Sequence, residues 1–354
     1  MSQFFVSEAS VSIQEDATHL YREAAQAAET VRLQIRTNTE RLQRLGEMLR
    51  RLSPRAVVTC ARGSSDHAAT FAKYLIETRL GVLTSSAAPS VSSVYAAKAD
   101  LRDTVLLAIS QSGASPDLLA AVANAKAAGA MIVALVNVES SPLAKAADFT
   151  IPLCAGAEQS VAATKSYIAS LAAIIHLVAS WARDEELLKE LAQAPARLER
   201  AWNLDWRPAL AHLQPARDLY VVGRGLGLGV AQEAALKLKE TCGLHAEALS
   251  AAELRHGPMA LVQVGFPVLI FAQNDETHGG VESLAAELAA RGAQILLAGA
   301  TAPDSVVLPT ETAHPAIQPM LIIQSFYRMV NALAVARGFD PDRPPHLRKV
   351  TETV

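Results

Sequence analysis

The chain has 354 residues, which is long enough for about two domains, and 51% of its residues are hydrophobic. The formal net charge at pH 7 is -3, with acidic and basic residues interspersed along the sequence. Since there is no block of one charge, we expect no nucleic-acid partner and no solvated acidic arm. The three cysteines lie far apart without a C-x-x-C pair, which excludes the usual zinc and disulfide patterns.

Targeting and membrane signals are weak. The beginning of the sequence lacks the basic stretch and the long apolar core that a secretory signal needs. The most apolar stretch, residues 167–181, is shorter than the ~20 residues of a membrane span and contains His176. We therefore predict a buried helix there, no membrane association, and the cytoplasm as the compartment.

In chain order, residues 15–52 have helical periodicity and few breakers, which predicts one or two leading helices. Short apolar runs then alternate with helical segments. The runs are A-V-V-T-C, T-V-L-L-A-I-S and M-I-V-A-L-V-N, with helices predicted near residues 66–80 and 116–128. Such alternation is typical of βαβ units around a parallel sheet.

The same alternation restarts after Pro215. Apolar runs at 218–223, 267–272 and 294–299 surround a helix predicted near residues 230–241, and residues 182–207 form a helical link between the halves. The strand endings V-T-C-A-R-G and Y-V-V-G-R-G also match each other. We infer an internal duplication of one α/β domain.

The loop S-Q-S-G-A-S-P-D, residues 110–117, is the most informative segment for function. It leaves a strand and enters a helix predicted to start at Pro116, with Ser115 as the N-cap. A helix start presents unpaired N–H groups and the positive end of the dipole, which suit a dianionic phosphate. The loop adds hydroxyl and amide donors from Ser110, Gln111, Ser112 and Ser115.

A second loop, R-G-S-S-D at residues 62–66, is built similarly and would lie beside the first, where open α/β sheets bind ligands. Either loop could instead be an ordinary βα turn whose serines serve only for capping. Capping needs one hydroxyl, and the loop at 110–115 has three, which favours phosphate. The second half has F-A-Q-N-D-E at the corresponding place, so we expect one half to hold phosphate and the other to supply the chemistry.

Candidate proton-transfer groups lie further along the chain. Lys237 and Glu240 share a helix face, which Glu233 extends by one turn. This spacing is compatible with two interpretations: a solvent-exposed stripe of ion pairs, or a carboxylate that acts as a base next to a lysine. His256 precedes a Gly-Pro and is either a surface residue or a proton carrier. Lys349 either pairs with a ligand or belongs to a frayed basic terminus.

Seven segments, in the same order, resemble the sugar isomerase (SIS) superfamily, above all the isomerase half of glucosamine-6-phosphate synthase and related stand-alone deaminases. They are R-G-S-S at 62–65, S-Q-S-G at 110–113, E-Q-S-V-A-A-T-K at 158–165, A-L-K-L-K-E at 235–240, H-A-E-A at 245–248, E-L-R-H-G-P at 253–258 and L-R-K-V-T at 347–351. The resemblance covers most of the chain beyond about residue 50.

The resemblance implies an α/β fold of two tandem SIS domains, each a parallel sheet flanked by helices in a flavodoxin-like three-layer sandwich. It divides the chain into N-terminal helices at 1–50, a phosphate-binding domain at 51–200, a second domain with the catalytic Glu and His at 201–337, and a tail at 338–354 that closes over the active site.

The resemblance also assigns site residues. Val161 and Thr164 would line the sugar, with Glu158 close by. The phosphate would be held by Ser64, Ser65, Ser110, Gln111, Ser112 and Ser115.

Glu240 would move a proton between C1 and C2 of the sugar, assisted by Lys237. His256 would be supplied by the partner subunit of a homodimer with shared active sites and would open the sugar ring. Lys349 would come from the closing tail.

Three departures from the synthase stand out. The synthase begins with a glutaminase domain, which the 354 residues do not contain, so we expect no glutamine-dependent synthesis. The tail reads P-P-H-L-R-K where the synthase has P-R-N-L-A-K, and Ala163 replaces a serine of the sugar site. The patterns A-R-G-S-S-D-H and H-L-x-K-V-T resemble the deaminase branch.

We therefore expect an isomerising glucosamine-6-phosphate deaminase that forms fructose 6-phosphate and ammonia and needs neither a metal nor an organic cofactor. The alternatives are an enzyme for another aminosugar phosphate (galactosamine 6-phosphate or a fructosamine phosphate) and a non-catalytic sugar-phosphate sensor. Sensors of this fold usually carry a DNA-binding helix-turn-helix, and no basic recognition helix is evident here.

Overall fold

Two parallel sheets organise the computed structural model, which describes residues 13–95, 97, 99–347 and 349. The first sheet contains β1 (Ala56–Cys60), β2 (Leu83–Ser86), β3 (Thr104–Ser110), β4 (Met131–Val136) and β5 (Phe149–Pro152). The second contains β6 (Asp218–Gly223), β7 (His245–Ser250), β8 (Pro267–Phe271), β9 (Gln294–Ala298) and β10 (Ser305–Leu308).

The strand orders of the two sheets are equivalent. The first runs β2-β1-β3-β4-β5, and the second, read from its other edge, runs β7-β6-β8-β9-β10. This is the flavodoxin-like order, in which a ligand site is expected at the carboxyl ends of the strands where the order reverses. The predicted pair of tandem α/β domains is confirmed.

Helices cover both sheets and join the halves. They are α1 (His19–Ala25), α2 (Ala27–Leu52), α3 (Ser64–Leu80), α4 (Pro89–Ser93), α5 (Pro116–Ala127), α6 (Pro142–Ala146), α7 (Lys165–Ala182), α8 (Glu185–Trp202), α9 (Leu210–Leu213), α10 (Gly227–Cys242), α11 (His278–Ala290) and α12 (Gln318–Ala336). Short 3₁₀ helices lie at Glu15–Ala17, Arg207–Ala209, Glu253–His256 and Pro258–Leu261.

The core is continuous across the two halves, because α7 and α12 pack between them. Both helices are long and apolar enough to cross a membrane by length and composition, yet 94% and 83% of their most apolar windows are buried inside the protein. Buried core helices commonly have this composition. The helix predicted at residues 167–181 is confirmed within α7.

Two helix starts differ from the sequence prediction. Residues 62–66 were expected to form a loop, but Ser64 and Ser65 already belong to the first turn of α3. The cause is Gly63, whose φ of 54° lets the chain turn within one residue after β1. Likewise α10 begins at Gly227, earlier than the predicted start near residue 230.

Close packing of α3 against α10 brings the halves together at the site. A Cβ at Gly229 would lie 2.5 Å from the carbonyl oxygen of His67, a separation that real side chains do not adopt. Glycine at this position therefore lets α10 approach α3 directly. This contact sets side chains of the second half against the β1–α3 turn of the first half.

Candidate active site

A cavity of about 630 Å³ opens at the carboxyl ends of β1 and β3 and is bordered by α10. Its wall consists mainly of the β1–α3 turn, the β3–α5 loop, the segment 156–163 and side chains of α10. Most of the predicted site residues line it: Ser64, Ser65, Ser110, Gln111, Ser112, Ser115, Glu158, Val161, Lys237, Glu240 and Lys349.

The β3–α5 loop has the geometry of an anion site. As predicted, α5 begins at Pro116 with Ser115 as its N-cap. The Ser115 hydroxyl makes no capping hydrogen bond within the described part of the chain, so it stays available to a ligand. Gly113 has a φ of 63°, and a Cβ there would lie 2.3 Å from Ser141 Oγ, so a side chain would disrupt the loop. The Gly113 and Ala114 N–H groups donate to Ser110 Oγ and Ser112 Oγ, so the loop offers a ligand its hydroxyls and the positive end of the helix dipole.

Glu158 connects three parts of the cavity wall. Its side chain is fully buried and accepts hydrogen bonds from Ser166 Oγ at 2.6 Å, Gln111 Nε2 at 2.7 Å and the Thr164 N–H at 3.0 Å. The ammonium of Lys349 lies 3.4 Å from the same carboxylate. Glu158 thus joins the β3–α5 loop, the start of α7 and the C-terminal segment.

The C-terminal segment reaches the cavity through Lys349. Its Nζ donates to the Ser160 carbonyl oxygen at 2.6 Å, and Leu347 also lines the wall. The Ser160 N–H in turn donates to Glu23 Oε2 at 3.1 Å, so α1 supports the same loop from behind.

A buried ion network occupies the α10 side of the cavity. Lys237 Nζ lies 2.5 Å from Glu240 Oε2 and 3.4 Å from Glu233 Oε1. The side chains of Lys237 and Glu233 are 0% exposed, and that of Glu240 is 19% exposed. The alternative of an exposed stripe of ion pairs is therefore wrong for this helix.

Glu233 is held by groups from several helices. It accepts from Ser64 Oγ at 3.1 Å and from Tyr327 Oη at 3.2 Å, and His67 Nδ1 lies 3.0 Å away. Burial alone would raise the pKa of Glu233, but Lys237 and His67 outweigh it, so the pKa is lowered. The network therefore keeps this carboxylate ionised.

Lys237 is likewise kept charged. Burial would lower the pKa of Lys237, but the carboxylates of Glu233 and Glu240 outweigh it and raise the pKa above its usual value. A buried ammonium therefore lies against the carboxylate of Glu240, at the wall of the cavity. Such a pair can exchange a proton with a ligand and stabilise negative charge that develops on it.

Two predicted site residues lie elsewhere. Thr164 is fully buried behind the wall, where its N–H donates to Glu158. His256 is exposed at the end of a 3₁₀ helix and does not line this chain's cavity. Its assignment to a neighbouring subunit stays a prediction.

Other residues that line the cavity were not predicted from the sequence. Arg62 and Asp117 border the β3–α5 loop, and Ser166 supports Glu158. Arg62 belongs to the R-G-S-S segment recognised in the sequence, but only the structure shows that it forms an ion pair with Asp117. Among the described residues, no group of three or more His, Cys, Asp or Glu side chains could hold a metal ion.

The fold and the cavity define a two-domain α/β protein with a polar site built from both domains. The SIS domain profile matches residues 52–180 and 212–333. The chain belongs to the SIS domain family.

Two relatives match most of the chain. The isomerizing glutamine–fructose-6-phosphate aminotransferase of Aeropyrum pernix is 35% identical over 307 residues, covering 81% of this chain and 49% of that protein. The chain therefore spans about half the length of this curated relative. The C-terminal domain of the glucosamine-fructose-6-phosphate aminotransferase of Francisella tularensis superposes with a TM-score of 0.84 at 26% identity, covering 94% of this chain and 100% of that one.

A solved structure from Silicibacter pomeroyi is also similar. It is a candidate phosphosugar isomerase that is 41% identical and has a TM-score of 0.88, covering 92% of this chain and 100% of that one.

Proposed function

We propose that the protein is a phosphosugar isomerase and, more narrowly, an isomerising glucosamine-6-phosphate deaminase. One observation carries the proposal: a serine-rich helix start suited to phosphate and a buried Lys–Glu pair suited to proton transfer face the same cavity. A volume of about 630 Å³ is within the range of small-molecule sites.

The phosphate group would bind at the start of α5. The positive end of the helix dipole and the hydroxyls of Ser112 and Ser115 would favour a phosphate there without requiring a metal ion. The sugar would then extend along the segment 156–163 towards α10. This orientation places its C1 and C2 atoms near Glu240.

Ring opening is assigned to His256 of the partner subunit, since the histidine of this chain lies outside its own cavity. The surrounding segment exposes Leu261 and Val264, with 62% and 84% of their surfaces accessible. Exposed apolar side chains next to a functional histidine suit an interface between two copies of the chain. The proposal therefore includes a homodimer with shared sites.

Proton transfer is assigned to Glu240. The Glu240 carboxylate removes the proton from C2 of the open-chain aldehyde while O1 takes up a proton, giving an enolamine with a hydroxyl on C1. Glu240 then returns a proton to C1 while the amino group gives up one proton. The ammonium of Lys237 offsets the negative charge that develops on the sugar oxygen. The product of this step is a C2 imine, which water attacks at C2. Ammonia leaves, and fructose 6-phosphate remains, so one water is consumed for each ammonia released.

Lys349 is assigned to the sugar end of the cavity. In the structure it is held by the Ser160 carbonyl and Glu158, within the wall that the sugar would contact. Its contacts keep the C-terminal segment against the site and exclude water from one side. The three cysteines are unpaired, which supports the cytoplasm as the proposed compartment.

An ammonia-release assay tests the proposal. The panel contains glucosamine 6-phosphate, galactosamine 6-phosphate, a fructosamine phosphate and unphosphorylated glucosamine. We expect fastest release from glucosamine 6-phosphate and almost none from glucosamine. If the protein releases no ammonia from any of these sugars but converts separately added fructose 6-phosphate to glucose 6-phosphate, the deaminase assignment is refuted and an isomerase remains. Binding of the phosphorylated sugars without any turnover would favour a sensor.

A further inference from the structure

The β1–α3 turn carries an arginine that the proposed function does not use. Arg62 lines the cavity beside the serines of both helix starts, and its side chain is 56% exposed. Its Nε and Nη2 atoms each lie 2.9 Å from Oδ2 of Asp117, whose side chain is only 3% exposed. The arginine is therefore a half-exposed residue of the cavity wall that is paired with an almost completely buried carboxylate.

Asp117 places a negative charge in the first turn of α5, close to where a phosphate would bind. Its Oδ1 accepts the Leu118 N–H at 2.8 Å, which fixes the carboxylate in place. An anion at this helix start would be repelled by the bare carboxylate. The Arg62 guanidinium offsets that charge and is held in one orientation by its two contacts.

The guanidinium has donors left over. Arginine carries five N–H groups in a planar fork, and the contacts with Asp117 come from Nε and Nη2 alone. Among the described residues, none accepts a hydrogen bond from Nη1. Nη1 of this cavity-lining residue therefore keeps its N–H groups free for a ligand.

The other two cations of the described cavity wall are engaged elsewhere. Lys237 lies between Glu233 and Glu240, and Lys349 lies against Glu158. Arg62 is the cation at the phosphate end of the wall. A dianion arriving there meets neutral donors from the loops and one positive charge from this side chain.

We propose that Arg62 is a binding residue for the phosphate of the substrate, donating from Nη1 to a phosphate oxygen while Asp117 positions it through Nε and Nη2. The inference rests on the proposed function only in requiring a phosphorylated ligand. The rival role is structural: Arg62 would merely neutralise the buried Asp117.

Variants in a matched background separate the two roles. Arg62→Ala alone leaves a buried carboxylate unpaired and can unfold the first domain. Asp117→Asn removes that carboxylate, and the double variant Arg62→Ala/Asp117→Asn removes both charges. Binding of inorganic phosphate is measured by titration calorimetry for the wild type, Asp117→Asn and the double variant. Arg102→Ala serves as a control, because Arg102 pairs with Asp100 at the opposite end of the same sheet.

If Arg62 binds phosphate, the double variant binds phosphate roughly 10-fold more weakly than Asp117→Asn does. This is the lower end of the effect expected for losing a hydrogen bond to a charged group, because the guanidinium is half exposed to solvent. In sugar-phosphate kinetics KM rises by a similar factor while kcat changes little. Arg102→Ala behaves as wild type in both assays.

Equal phosphate affinity in Asp117→Asn and the double variant overturns the inference. It would mean that Arg62 serves only to neutralise Asp117 and is not needed once that carboxylate has been removed. Absence of phosphate binding by the wild type overturns the inference together with the proposed function. Arg62-dependent phosphate binding without ammonia release supports the inference and removes only the deaminase assignment.

Discussion

The substitution Glu240→Gln tests the assignment of the proton carrier. Glutamine has nearly the same shape and keeps an amide oxygen that can accept from Lys237 Nζ, now 2.5 Å from the carboxylate. It cannot take the C2 proton. A positioned general base contributes about 10²–10⁴-fold to the rate, so we expect kcat to fall by that factor while KM changes little.

The assay is steady-state ammonia release over a range of glucosamine 6-phosphate concentrations. Thermal unfolding of the variant shows whether the fold survives, since removing a charge beside the buried Lys237 weakens the network. Glu185→Gln is the matched control, because Glu185 is exposed at the start of α8 and does not line the cavity. A folded Glu240→Gln protein with near-wild-type kcat would remove this residue from the chemistry.

Three further predictions concern binding, assembly and pH. Ser112→Ala should raise KM by roughly 10- to 100-fold, the effect of losing a hydrogen bond to a charged group, with little change in kcat; an unchanged KM would separate this loop from phosphate. Mixed His256→Ala and Glu240→Gln proteins should regain activity after subunit exchange, and inactive hybrid dimers would place both residues in one chain's site. Burial lowers the pKa of His176 from its usual 6.5 to about 4, so the folded state binds fewer protons and its stability falls as pH drops below 6.5. Between pH 7 and pH 5, urea unfolding should show that the free energy of unfolding of the wild type falls by about 2 kcal/mol more than that of His176→Leu. The same pH dependence in the wild type and the variant would contradict this reasoning.

Local signals predicted the elements well. Ser115 and Pro116 mark the start of α5 because capping chemistry depends on adjacent residues alone. The alternation of apolar runs and helical segments likewise predicted both sheets, because the spacing of apolar residues along the chain reflects which positions are buried. The start of α3 was misplaced because Gly63 turns the chain faster than a typical loop does.

Burial of the catalytic candidates could not be derived from spacing. Glu233, Lys237 and Glu240 have the same spacing whether their helix face is exposed or covered. The packing of α10 against α3, made possible by Gly229, decides the matter. Residue-by-residue resemblance supplied these positions where the pattern alone was ambiguous.

Contacts between distant parts of the chain were also beyond sequence reasoning. Lys349 and Glu158 are 191 positions apart, and Arg62 and Asp117 are 55 apart. No local pattern specifies such pairs, because they depend on how the turn at one strand end faces the helix that follows another. Only the folded chain shows that each cation of the cavity wall meets a particular carboxylate.

A phosphosugar that is turned over in this cavity is expected to pass its C2 hydrogen through Glu240 and to lose ammonia. Glucosamine 6-phosphate deuterated at C2 is followed by nuclear magnetic resonance during incubation with the wild-type protein, and with Glu240→Gln, in which the label should stay at C2. For the wild type we predict loss of the label from C2, fructose 6-phosphate carrying either deuterium or solvent hydrogen at C1, and one ammonia for each ketose formed. Recovery of the sugar from the wild type with its C2 label intact and no fructose 6-phosphate would contradict the account.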